Sequence, residues 1–251
     1  MRRFVVALAT ALVVSPLAAQ GNGHLAAGDS AYTALQPAAA LAHYEAAIAR
    51  DSTDYEALWK ASRSLADLAE YEGDKVKRAE MYRRAEDLAR RAVTVKSNDA
   101  EAHFHLARAL GRVALSHGPK DRVKYGKAVR EEAIEALRLD PDHPGALHVM
   151  GMWHAEVRRL PRIARFFARS FLGGQILSSA EWSEAVRLLS RAVEVDPHRL
   201  AHHLDLARIY RDIDQRDQAR VHYQHVIDGQ PTDYNDAHYK REAAEEIARL
   251  K

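Results

Sequence analysis

Four pairs of side chains recur along the chain at a separation of four residues: Trp59 with Arg63, Phe104 with Arg108, His148 with Met152, and Leu204 with Arg208. That separation puts both members of a pair on one face of a helix. A guanidinium binds a carboxylate or phosphate through two parallel hydrogen bonds, so an aromatic and aliphatic row beside Arg63, Arg108 and Arg208 suits a ligand with an apolar body and an anionic head. A peptide carboxylate and a phospholipid both meet that description. A third row one turn on, Asp67, Arg112, Glu156 and Asp212, supplies the competing account. In it Trp59 and Phe104 are packing residues, and the arginines form ion pairs with Asp67, Glu56 and Asp212 along a solvated face.

A second candidate surface is the stretch Arg158 to Trp182, with five arginines and four aromatics and no acidic residue before Glu181. Between Leu160 and Leu172 a helical wheel groups Arg162, Arg165 and Arg169 opposite Leu160, Ile163, Ala164, Phe167 and Phe171, with Phe166 off the apolar side. This is the pattern of a basic amphipathic helix over about 158–182, started by Pro161 and ended by Gly173-Gly174. Arg162, Arg165, Phe166 and Arg169 would then face an anionic membrane or an acidic partner. Alternatively the phenylalanines pack inward and the arginines only face water.

Fourteen histidines raise the question of a metal. His222 and His225 are three apart, His198, His202 and His203 cluster, and His103 and His105 flank Phe104, but none forms an HExxH or a Cys/His finger. They read as scattered surface residues, with no metal site and no cofactor. The single glycine pair, Gly173-Gly174, has no phosphate-loop lysine after it, and no G-x-S-x-G is present. The expectation is a protein that recognises rather than catalyses.

The elements that would position these residues are helices. Hydrophobic content of 47% with 29% charged residues fits a folded domain, and the scarcity of Gly (12) and Pro (8) favours helix over sheet. A repeat is visible from its end backward. Leu206, Ala207 and Tyr210, then Ala219, Tyr223 and Val226, then Pro231, fill one unit of about 34 residues, the period of stacked helical hairpins. The first unit, Asn22 to Asp54, repeats it with Gly28, Ala40, Tyr44 and Ala47. The units closing at Ser97, Pro141 and Pro197 carry Ala89/Ala92, Ala133/Ala136 and Leu189/Ala192, and exceed the period by about 11, 10 and 22 residues. The excess lies between the two helices of each hairpin, around Gly73-Asp74, around Gly118-Pro119, and across Arg158 to Trp182. After Pro231, Ala237, Ala244, Ile247 and Leu250 give an apolar stripe for a capping helix.

This grammar resembles the tetratricopeptide repeat. The predicted fold is an all-α, TPR-like α-solenoid of about five hairpins with extended middle repeats and a C-terminal capping helix. Three further features occur in the order found in the regulator of microtubule dynamics family: the run Ala57-Leu58-Trp59-Lys60-Ala61-Ser62-Arg63, the triplet Lys124-Tyr125-Gly126, and the turn Gly174 to Ser179 leading into Trp182-Ser183-Glu184-Ala185. The resemblance spans about Tyr55 to Leu250. It implies a non-enzymatic helical-repeat protein, in a family whose eukaryotic representatives are linked to microtubules and to organelle membranes.

The opening twenty residues have Arg2 and Arg3, an apolar run from Phe4 to Val14, and small residues before Gly21. That is the pattern of a cleaved secretory leader (1–20) before a single repeat domain (21–251). The 37 lysines and arginines less Arg2 and Arg3 balance the 35 acidic residues, which removes support for bulk nucleic-acid binding. The absence of cysteine excludes a disulfide framework and a thiol-linked lipid anchor. The expected product is an exported, periplasmic or secreted adaptor with no access to microtubules. Its groove residues Trp59, Arg63, Phe104, Arg108, His148, Leu204 and Arg208 would hold a protein or peptide, or alternatively an anionic lipid.

Overall fold

In the computed structural model residues 16–116, 119–161 and 179–250 are described, and every regular element among them is a helix. In chain order these are α1 (Pro16–Thr33), α2 (Pro37–Arg50), α3 (Tyr55–Glu70), α4 (Lys75–Val95), α5 (Ala100–Ser116), α6 (Pro119–Leu139), α7 (Pro144–Arg159), α8 (Trp182–Val195), α9 (Leu200–Asp212), α10 (Arg216–Asp228) and α11 (Asp236–Ala248). Successive helices pair as α1/α2, α3/α4, α5/α6, α7/α8 and α9/α10, each pair packing on the next. The described residues thus form a TPR-like α-solenoid of five hairpins followed by one further helix.

Local chemistry explains the boundaries. The Asp54 carboxylate accepts from the Ala57 amide at 3.0 Å, and Asp74 from Val76 at 2.8 Å, so α3 and α4 begin with satisfied donors. Pro37 and Pro144 stand in the first turns of α2 and α7, where a missing N–H costs nothing. The alanine seams are buried at Ala89, Ala92, Ala133, Ala136 and Ala192 and let neighbouring helices approach closely. At Gly151 a Cβ would lie 2.0 Å from a Leu189 methyl and 3.2 Å from the Ala185 carbonyl, so α7 and α8 touch where only glycine fits.

The extended middle hairpins appear as long second helices: α4 and α6 have 21 residues each, against 13 in α9 and 13 in α10. The third excess falls mostly on residues 162–178. The amphipathic helix expected there, with Arg162, Arg165, Phe166 and Arg169, lies outside the described residues. Its far flank is anchored, because the Glu181 amide donates to His154 Nδ1 at 3.1 Å and returns the chain to α7. At the other end of the chain, α1 begins at Pro16 and passes through the expected cleavage point at Ala19–Gln20.

The expected apolar stripe of the terminal helix needs correction. Ala237 and Ala244 are exposed, and α11 instead buries Tyr239 and Ala243, with Ile247 and Leu250 packed against the same cluster as Leu204, Tyr223 and Val226. The helix is also more than a cap. Asn235 Nδ2 donates to the Asp67 carbonyl at 3.0 Å, Tyr239 Oη to Glu70 at 3.0 Å, and Tyr71 Oη to Glu242 at 2.9 Å, so the last element reaches back to α3. Tyr71 stacks on His238 at 3.8 Å between centroids. The superhelix therefore closes on itself through side chains.

Candidate functional site

The first helix of each hairpin faces inward, and α3, α5, α7 and α9 with α11 enclose a groove of about 690 Å³. Phe104, Leu115, Val149, Met152 and Leu160 give it an apolar side. Phe104 lies over α7 where Gly145 has no side chain, since a Cβ there would meet the ring at 2.4 Å. Trp153 anchors the wall behind by donating from Nε1 to the Gly126 carbonyl at 2.7 Å.

Of the residues singled out in the sequence, Arg63, Phe104, Arg108, His148, Leu204 and Arg208 line this one groove, as do Met152, Arg112 and Glu156. Trp59 sits behind it, stacked on His105 at 5.0 Å. The arginines are engaged by the protein itself. Arg108 pairs with Asp67, and Arg112 with Glu70 at 2.8 Å. Arg208 pairs with Asp205 at 3.2 Å, Glu242 at 2.6 Å and Glu246 at 2.8 Å. Arg63 lies over the Tyr32 ring at 3.5 Å, a cation–π contact. The partners from α11 were illegible in the sequence, which suggested Asp67, Glu56 and Asp212; Asp67 does meet Arg108, whereas Glu56 meets Lys60, and Asp212 meets Arg159 and Arg211.

Asp67 is almost fully buried, 1% exposed, and it also accepts from Tyr32 Oη at 2.7 Å. Burial alone would raise its pKa, but the Arg108 guanidinium and the hydrogen bonds from Arg108 and Tyr32 outweigh it and hold the group below the usual range. The Tyr32 phenol is pushed upward, first by burial and then by the Asp67 charge.

The histidines depart most from expectation. His103, His105, His143, His154, His202 and His203 are all buried rather than scattered over the surface. They are retained because each finds a partner, the usual condition for burying a polar ring. Glu101 bridges two of them, meeting His105 Nε2 at 3.2 Å and His143 Nε2 at 2.9 Å. His148 meets His202 at 2.8 Å between Nδ1 atoms and Asp205 at 3.2 Å through Nε2. Burial lowers His105 to about 4, with the Glu101 hydrogen bond opposing it, and drives His202 further down, helped by the neighbouring His148 and Arg199. Glu101 and Asp205 would be raised by burial, yet their histidine hydrogen bonds hold both well below the carboxylate range. Among the described residues no group of three or more His, Cys, Asp or Glu is arranged to hold a metal ion. His143, directly before Pro144, also caps α7 by accepting from the Ala146 amide at 3.1 Å. No helix among the described residues is long and apolar enough to cross a membrane.

The groove thus offers an apolar wall facing paired charges and imidazoles. The family described as Regulator of microtubule dynamics protein 1-3 matches residues 25–251. Regulator of microtubule dynamics protein 1 of Mus musculus is 28% identical over 151 residues, covering 59% of this chain and 48% of that protein. Regulator of microtubule dynamics protein 3 of Rattus norvegicus is 22% identical over 164 residues, covering 65% and 34% respectively. The chain spans about half, or less, of the length of these curated relatives. Among solved structures, a thermophilic TPR protein of Thermus thermophilus superimposes with a TM-score of 0.65 at 18% identity, covering 90% of this chain and 99% of that one. PilF of Pseudomonas aeruginosa does so at 0.54 and 11% identity, covering 93% and 90%.

Proposed function

The chain belongs to the regulator of microtubule dynamics family, and from that premise we propose that it is a non-enzymatic scaffold that holds a protein or peptide partner in its concave groove. The family and the TPR-like fold point to an interaction scaffold in general terms. The observation that carries the finer reading is the groove itself, about 690 Å³, with Phe104, Val149 and Met152 opposite alternating guanidinium, carboxylate and imidazole groups. An apolar wall takes side chains of a bound segment while paired polar groups take its backbone. The other occupant suggested by the sequence, an anionic lipid, depends on arginines able to accept a head group. Arg108 and Arg208 are already neutralised by Asp67, Asp205, Glu242 and Glu246, so the peptide reading is retained.

A photo-crosslinking residue at Val149, inside the groove, should trap a polypeptide in the native host. The same residue at Ile134, exposed on the second helix of its hairpin, should not. Equal yields at the two positions would contradict groove binding. We further propose export through residues 1–20, which predicts a mature N-terminus at Gln20 or Gly21 on sequencing of the protein from its host. In that setting no contact with microtubules is expected.

A further inference from the structure

The terminal helix α11 occupies the groove wall in the manner of a ligand. Tyr239, Glu242 and Glu246 are spaced three and four residues apart and share one helix face. That face meets the end of α3, far away in sequence, together with α9 and α10. Tyr239 Oη donates to Glu70 on α3, and Glu242 accepts from Tyr71 at 2.9 Å and from Arg208 at 2.6 Å. Glu246 accepts from Arg208 Nη2 at 2.8 Å, from Arg211 at 2.6 Å and from Tyr223 Oη at 2.6 Å. Upstream, Asp233 pairs with Arg199. The segment before it, Gln230 to Thr232, is exposed and holds Pro231, a tether with little packing of its own.

Without α11 and the residues leading into it, Arg199 would lose Asp233, while Arg208 would fall back on Asp205 and Arg211 on Asp212. The result would be three guanidinium groups on and just before α9, with the Tyr71 hydroxyl next to Arg208 where both now meet Glu242, a cradle complementary in charge to an acidic helix. Resting on the groove-binding reading above, we propose that this α3–α9 face docks a partner's acidic amphipathic helix of the pattern aromatic-x-x-Glu-x-x-x-Glu. In the free protein α11 fills the site as an internal competitor. Tethering supplies the competitor at an effective concentration on the order of millimolar, so the partner must bind well or α11 must be loosened first. Docking an amphipathic helix into a groove by anchors spaced three and four apart is an established mode of recognition.

The test uses the full chain and a fluorescent peptide with the sequence of residues 232–251 as the probe. The variant Glu242→Gln with Glu246→Gln should bind the probe at least tenfold more tightly than the unaltered chain. A probe carrying the same two substitutions should bind at least tenfold more weakly, and adding Arg208→Met to the loosened chain should abolish binding. Equal affinities for the two chains would overturn the proposal. So would a chain that runs as a dimer by light scattering and excludes the probe, because α11 would then be exchanged between copies. If the substituted chain does not fold, hydrogen exchange on the unaltered protein decides: α11 amides must exchange faster than those of α10, and faster still with excess probe. Exchange no faster in α11 would refute an opening latch. Crosslinking at Val149 keeps the two readings apart: if it traps a polypeptide while the probe fails, only the docking inference falls. Probe binding without crosslinking removes the groove reading instead.

Discussion

Replacing Asp67 by Asn should be the most damaging single change of one atom's chemistry in this protein. The carboxylate is 1% exposed and serves Arg108, whose side chain is 15% exposed, and the Tyr32 hydroxyl at 2.7 Å. An amide of the same shape keeps an acceptor for Tyr32 but leaves a largely buried guanidinium without its counter-charge. Breaking such a pair costs about 3–5 kcal/mol, because the surviving charge stays desolvated. For a chain of this size that corresponds to a fall in Tm of roughly 6–20 °C. Removing all three partners together, Tyr32→Phe, Asp67→Leu and Arg108→Met, should recover most of the loss, since an apolar replacement of a buried pair is often neutral. Urea unfolding of the single and triple variants measures both terms. Because the Asp67 pKa is depressed, its contribution is present above the unfolded value of about 3.9 and disappears as pH falls through the folded value, so the gap between wild type and Asp67→Asn should close in acid. A cost below about 1 kcal/mol for Asp67→Asn would refute the argument, placing the pair among screened surface bridges.

Three other outcomes follow from the packing. Gly151→Ala should destabilise by about 1–3 kcal/mol, since its Cβ meets Leu189 and the Ala185 carbonyl, whereas Gly111→Ala on α5, with open space around it, should stabilise by about 1 kcal/mol; differential scanning calorimetry reads both. Asn235→Ala removes one of the side-chain bonds that tie the terminal helix segment to the second hairpin, and should separate the unfolding transitions followed by probes at the two ends. His105 and His203 are each lowered to about 4, first by burial, so their stabilising neutral state is fully present above about 6.5 and stability falls as pH drops toward 4. At pH 5 each should cost about 2 kcal/mol relative to pH 8, and His105→Asn should flatten that dependence in urea titrations.

The scaffold was legible because its signals are local. The alanine seams, the Asp54 and Asp74 caps and the Asp-Pro turns state where helices begin, end and touch, and a period near 34 states how hairpins stack. The same spacing placed Phe104, Arg108, His148 and Leu204 on one face, because equivalent positions of successive first helices must line the concave side. What occupies those groups is a non-local matter. Arg208 sits one turn from Asp205 yet takes two more carboxylates from α11, and Asp67 is met by Asn235 across 168 residues. Those encounters depend on the pitch of the superhelix, which is the sum of small rotations at each hairpin interface and is written in no single stretch. Histidine burial was hidden for a related reason. His143 looks like a surface residue until Glu101 of α5, 42 residues away, is seen beside it, and a polar ring is buried only where a partner is brought to it. Closure also alters what the scaffold can be. An open solenoid presents a concave face to any segment that fits, whereas a face already holding Glu242 and Glu246 on Arg208 admits only a partner able to compete with them. Under the docking proposal, the length of α11 and the strength of its carboxylate contacts set selectivity as much as the groove lining does.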